Sequence, residues 1–128
     1  MFREKRVRVS TNTPFEETLG YSRAIRVGNR VILSGCAPIW TEGFCDADVV
    51  AQARRCLEII GAALGAADAE LRHVVRTRIY LIDAADFEAV ARVHAEFFGA
   101  VRPANTTVVV AGLLDPRWKL EIEAEAVT

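Results

Sequence analysis

Hydrophobic and polar residues alternate along Arg6-Val7-Arg8-Val9, the period of a short strand whose two faces meet different surroundings. The alternation returns over residues 23–27 and 30–34, and the Gly28-Asn29 pair between them predicts a hairpin with a two-residue loop. From Asp46 the period changes. Val49, Ala53, Leu57, Ile60, Leu64 and Ala67 follow one another at steps of three and four, the stripe of an amphipathic helix with Asp46 or Asp48 as N-cap and an end near residues 65–67. Residues 74–82, rich in β-branched side chains, read as a strand. Asp83 then caps a second helix that is expected to bury Phe87, Val90 or Ala91, His94 and Phe97 or Phe98 and to stop at Gly99. Residues 105–111 and 118–127 supply two last strands, joined by a turn containing Asp115-Pro116.

The resulting order, strand, hairpin, helix, strand, helix, strand, strand, has no linker, repeat or low-complexity segment. It predicts one α+β domain over residues 1–128, a single mixed sheet with two helices on one face. In the last strand Leu120, Ile122, Ala124 and Ala126 share one face, while Lys119, Glu121, Glu123 and Glu125 share the other. Arg76, Arg78 and Tyr80 likewise share a face of the middle strand, so arginines and glutamates are expected to meet across the sheet. Two readings follow. A solvated face gains only about 0–1 kcal/mol per ion pair, whereas a face packed on another subunit uses paired charges to set register.

Composition narrows the function classes. With 16 Lys+Arg against 17 Asp+Glu the formal charge is −1, which argues against a nucleic-acid binder working by a basic surface. The chain is 52% hydrophobic, but its longest aliphatic stretches, residues 59–67 and 108–114, are too short to span a bilayer. At 128 residues roughly two-thirds of the unfolded surface can be buried, so neither disulfide nor metal is needed for a core. Cys36, Cys45 and Cys56 have neither zinc-knuckle nor CxxC spacing, and Cys36 reads as a buried filler or as an oxidisable thiol lining a cleft. The start, Met1-Phe2-Arg3-Glu4-Lys5-Arg6, mixes charges without an apolar run, so a cytoplasmic protein is expected. His73 and His94 are isolated and make no metal site; His94, on the apolar helix face, reads as a satisfied core or interface histidine. Trp40 and Phe44 fall in a loop, as loop packing or as an aromatic lid. Phosphate-loop and nucleophile-elbow motifs are missing.

Several segments, taken in order, resemble the Rid family of reactive-intermediate deaminases, also called YjgF-type proteins or L-PSP endoribonucleases. They are Gly20-Tyr21-Ser22-Arg23-Ala24, Val27-Gly28-Asn29 leading to Leu33-Ser34-Gly35, and Ala51-Gln52-Ala53-Arg54. Further on come Val75-Arg76-Thr77-Arg78-Ile79-Tyr80, Phe97-Phe98-Gly99, Arg102-Pro103-Ala104 and Glu121-Ile122-Glu123-Ala124. The resemblance covers residues 10–127 and implies a chorismate-mutase-like fold, a homotrimer, and clefts between neighbouring subunits. It also implies hydrolysis of amino-acid-derived imines or enamines to ammonia and a keto acid, with no cofactor and no metal.

Such chemistry needs a carboxylate anchor, a positioned water and a proton shuttle. By resemblance, Glu121 positions the water; a cross-strand partner for Arg76 or Arg78 is its other reading. Tyr21, Ser34 and Gly35 line the cleft, and the backbone N–H of Thr107 helps grip the substrate carboxylate. The family arginine that holds this carboxylate is here Asn105. An amide donates only neutral hydrogen bonds, about 0.5–1.5 kcal/mol net against about 1.5–3 for charge-assisted ones. Deamination of the usual imino acids is therefore expected to be weak or absent unless Arg102, three residues earlier, or Arg78 or Arg117 compensates. The expected function is hydrolysis of an imine or enamine with altered substrate preference. The alternative is a trimer that binds a small imine-, enamine- or keto-acid-like metabolite without turning it over, with no nucleic-acid or membrane partner.

Overall fold

The computed structural model describes residues 5–128; the mixed-charge segment Met1 to Glu4 lies outside them. In chain order the elements are β1 (Arg6–Val9), α1 (Pro14–Leu19), β2 (Ala24–Val27), β3 (Arg30–Cys36), α2 (Val49–Ala66), β4 (Val74–Leu81), α3 (Phe87–Phe98), β5 (Ala104–Val109) and β6 (Leu120–Val127). Six strands form one mixed sheet in the order β1-β2-β3-β6-β4-β5. The β4–β5 pair is parallel, as it must be when a helix, α3, carries the chain back across the sheet; the other pairs are antiparallel. β6, last in sequence, sits at the sheet centre between β3 and β4.

That central place explains its pattern. Leu120, Ile122, Ala124 and Ala126 are buried beneath the helix layer, and the predicted stripe of α2 (Val49, Ala53, Leu57, Ile60, Leu64, Ala67) is buried against them. Asp48 is the N-cap that closes α2, its carboxylate accepting from the Ala51 N–H. The hairpin forms as expected, Val27 opposite Arg30 around Gly28, whose φ of 61° a side chain would resist. The second helix buries Val90 and Phe98 as expected, with Val93 beside them and His94 half-buried; Phe87, expected in the core, is instead exposed. A 3-10 turn, Ala84–Asp86, intervenes, so Asp83 caps that turn rather than α3, which begins at Phe87.

The structure adds a helix, α1, to the expected order, at a segment whose signal is Thr13-Pro14-Phe15-Glu16. Thr13 is the N-cap, Pro14 fills the first turn and Glu16 completes a capping box, while Gly20 ends the helix at φ 79°. Burial alone would raise the Glu16 carboxyl. Hydrogen bonds from the hydroxyls and backbone N–H groups of Thr11 and Thr13 outweigh it and hold the group at about 2.

On the outer sheet face the expected charge pairing occurs at Arg78, whose guanidinium lies 3.7 Å from both Glu123 and Glu125. The Tyr80 hydroxyl donates to Glu123. Arg76 forms no ion pair among the described residues. No helix is long and apolar enough to cross a membrane.

Buried polarity concentrates at Gln52 on α2, which is 0% exposed. Its amide donates to the carbonyls of Asp46 (2.7 Å) and Arg117 (3.0 Å) and accepts from the Lys119 N–H (2.8 Å). One side chain thus ties the start of α2 to the segment that enters β6.

Candidate functional site

The site begins with an irregularity. Between Leu33 and Cys36 the β3–β6 register shifts, so Leu33 opposes Ala124 and Cys36 opposes Ile122 with two residues, Ser34 and Gly35, set against one. The Ser34 hydroxyl donates to the Ser22 carbonyl at 2.6 Å. Gly35 lies so close to Glu121 that an added Cβ would stand 2.9 Å from its carboxyl carbon. Glycine here is a matter of space for the carboxylate.

Glu121, at the start of β6, points to the outer face and is half-buried. Burial raises its pKa, nearby Arg23 pulls it down, and Glu123 pushes it up; the net direction is upward. It pairs with no arginine or lysine among the described residues, Arg78 being taken by Glu123 and Glu125.

Tyr21 and Arg23 follow the end of α1. The Arg23 guanidinium, only 5% exposed, donates to the Gly35 carbonyl at 2.5 Å and to the Tyr21 hydroxyl at 3.0 Å. Glu121, Tyr21, Arg23, Ser34 and Gly35 together line one cleft of about 570 Å³. Its remaining wall is largely apolar, with Phe15 and Leu19 from α1 and Leu114 and Trp118 from the β5–β6 connection. Phe15 and Trp118 meet edge to face, centroids 6.1 Å apart.

The other residues singled out by sequence lie elsewhere in the protomer. Asn105 and Thr107 sit on β5, two strands from β6 and thus roughly 10 Å across the sheet. The Asn105 side chain faces the helix layer, where Nδ2 donates to the Thr77 hydroxyl (3.0 Å) and Oδ1 accepts from the Thr107 hydroxyl (2.8 Å). Thr77 in turn bonds His94 Nε2 at 2.9 Å. Burial lowers the His94 pKa, which favours the neutral ring. Asn105 is thereby spent on a chain running Thr107, Asn105, Thr77, His94. Arg102 takes φ 55° in the turn after α3 and lines a separate shallow opening with His94 and Pro103. Arg117 is held by Asp115 at 2.7 Å.

Arg78, Arg102 and Arg117, the candidate substitutes, all lie away from the cleft, which is bordered instead by Arg23. Arg23 precedes Ala24, which faces the helix layer opposite Leu33, and its burial depends on contacts with Gly35 and Tyr21 that leave no period in the chain. Among the described residues no group of three or more His, Cys, Asp and Glu side chains is placed to hold a metal. Cys36 is fully buried behind Gly35, with its thiol pKa raised by burial, and so is a filler. Trp40 and Phe44 pack on each other, centroids 5.5 Å apart, outside the cleft.

A family model described as endoribonuclease L-PSP matches residues 11–128. The crystal structure of Rv2704 from Mycobacterium tuberculosis, a member of the YjgF/YER057c/UK114 family, superposes with a TM-score of 0.91 at 41% identity, covering 97% of this chain and 100% of that one. The 2-iminobutanoate/2-iminopropanoate deaminase of Escherichia coli is 38% identical over 112 residues, 84% of this chain and 86% of that protein. The structure of Escherichia coli TdcF with bound serine matches at a TM-score of 0.81 and 30% identity, covering 100% and 98% of the two chains.

Proposed function

Since the chain belongs to the endoribonuclease L-PSP family, the YjgF or Rid family, we propose that it hydrolyses an imine or enamine in the Glu121 cleft, releasing ammonia and a carbonyl product. The observation that supports this most is the placement of Glu121. It is a half-buried carboxyl group with a raised pKa, free of ion pairs among the described residues, at the polar end of a cleft large enough for a small organic substrate.

The chemistry needs nothing beyond water and that carboxylate. Glu121 takes a proton from water as the oxygen adds to the carbon of the protonated imine, giving a neutral carbinolamine. It returns that proton to nitrogen, and as the C–N bond breaks the hydroxyl gives its proton to the same carboxylate, leaving the carbonyl product and ammonia, which carries the last proton away as ammonium. The test is release of ammonia and keto acid from freshly generated amino-acid imines by the purified protein, with Glu121→Gln alongside.

Substrate preference departs from that of a protein carrying arginine at position 105, because Asn105 offers a neutral amide whose Nδ2 and Oδ1 are hydrogen-bonded to Thr77 and Thr107 of the same protomer. The apolar wall favours a hydrocarbon side chain. Each buried methylene gives about 0.8 kcal/mol, so kcat/KM for the leucine-derived imine is expected to exceed that for the alanine-derived imine by about tenfold or more. Faster turnover of the smaller imine would refute this assignment of the wall.

The assembly is read as a homotrimer. Asn105 and Thr107 lie on a sheet edge remote from Glu121, so a neighbouring copy must carry that edge to the cleft if they are to act there. Ile32 and Val108 are left exposed on the outer face among the charges. Light scattering at micromolar concentration should give three times the chain's 14.1 kDa; a monomeric mass would end this reading. The internal use of Asn105 also favours a second reading, a trimer that binds a carbonyl metabolite without turnover. Complete inactivity toward every imine, with binding retained, would select it.

A further inference from the structure

Arg23 is a buried cation without a counter-ion in contact. It is 5% exposed, yet among the described residues no Asp or Glu oxygen comes within 4.0 Å of it. Buried guanidinium groups are ordinarily paired with a carboxylate, because an unpaired charge in a low-dielectric interior is costly. Its fixed partners are neutral, the Gly35 carbonyl, the Tyr21 hydroxyl and, more weakly, the Cys36 sulfur at 3.6 Å. The Gly35 bond locks the fork in place and leaves its positive end bordering the cleft.

Tyr21 adds direction. Its oxygen accepts an N–H from Arg23, so its own hydrogen is free to donate elsewhere, and Tyr21 also lines the cleft. The Arg23 carbon lies 5.5 Å from the centroid of the Tyr21 ring, a cation–π contact that adds to the hydrogen bond between them. An anion seated here meets one charge and one hydroxyl donor at the polar end of the cleft that also holds Glu121, with the apolar wall beyond.

We infer that Arg23, acting with the Tyr21 hydroxyl, is the group that receives a substrate carboxylate in this protein, and that the cleft therefore selects carboxylic acids bearing an apolar body. This rests on the cleft assigned above and supplies an anion holder from within the protomer, in the role that Asn105 does not fill.

The test uses binding, which requires no turnover. Calorimetry compares α-ketoisocaproate with its methyl ester on the full chain, for the wild type, Arg23→Gln and Tyr21→Phe, with melting curves for each. The wild type is expected to bind the acid roughly tenfold or more tighter than the ester, the effect of one charge-assisted contact. That ratio should fall close to one in Arg23→Gln and severalfold in Tyr21→Phe, which removes a single oxygen and serves as the readout if Arg23→Gln does not fold. A wild type that binds neither probe, or binds both alike, overturns the inference. So does a ratio unchanged in the variants, and so does an equal loss of both affinities in Arg23→Gln, which marks a structural role. A protein inert toward imines that still prefers the acid through Arg23 would defeat the hydrolase reading alone; an active one indifferent to the acid would defeat this inference alone.

Discussion

Glu121→Gln is expected to lower kcat for imine hydrolysis by about 10²–10⁴-fold, the range spanned by loss of a positioned acid–base group, while leaving the fold as stable as the wild type or more so. Glutamine has the shape of the protonated acid and still fits against Gly35, but it neither takes a proton from water nor returns one to nitrogen. The stability half follows from the pKa. The Glu121 carboxyl is raised in the folded chain, so between its unfolded and folded pKa the native state binds more protons and stability falls as pH rises. Replacing the carboxylate removes that cost. The wild-type rate should fall on acidification through an apparent pKa above 4.5, as the carboxylate needed as base is protonated. Steady-state kinetics across pH together with melting curves reads both halves. Unimpaired kcat would remove Glu121 from the chemistry, and a large loss of stability would mark it as structural.

Gln52→Leu is expected to destabilise the protein by about 2–4 kcal/mol, since it leaves two buried carbonyls and one N–H without their partner at about 1–3 kcal/mol for each unsatisfied group, partly relieved by relaxation. For a chain of this size the melting temperature should drop by roughly 10 °C. The same bonds hold the segment through Arg117 and Lys119 that presents Trp118 to the cleft. The variant should therefore also show a higher KM for imines with apolar side chains at temperatures where it remains folded. Thermal unfolding followed by circular dichroism decides the first part; a shift under about 3 °C would mean that water replaces the glutamine without loss.

Neither residue announces its role in the pattern of the chain. Gln52 occupies a helix position among apolar residues and reads as a minor interruption, because its three partners come from two segments, one six residues before it and one more than sixty after it. Glu121 stands out only through family resemblance; by alternation alone it is one of three equivalent glutamates. The bulge at Ser34 and Gly35 and the claim of Glu123 and Glu125 on Arg78 are what separate it from the others.

The strands, the two long helices, the hairpin and the division of β6 into an apolar and an acidic face are legible in the chain alone, because they depend on side-chain period and local turn chemistry. The chain also holds the signal for α1, in a capping box with a proline at the first turn. Which strand lies at the sheet centre, the exposure of Phe87, the hydrogen bond from Asn105 to Thr77 and the place of Arg23 beside the cleft emerge from the folded molecule. Those outcomes depend on which distant segments meet, and hydrogen-bond partners more than a turn or a hairpin away leave no period in the chain.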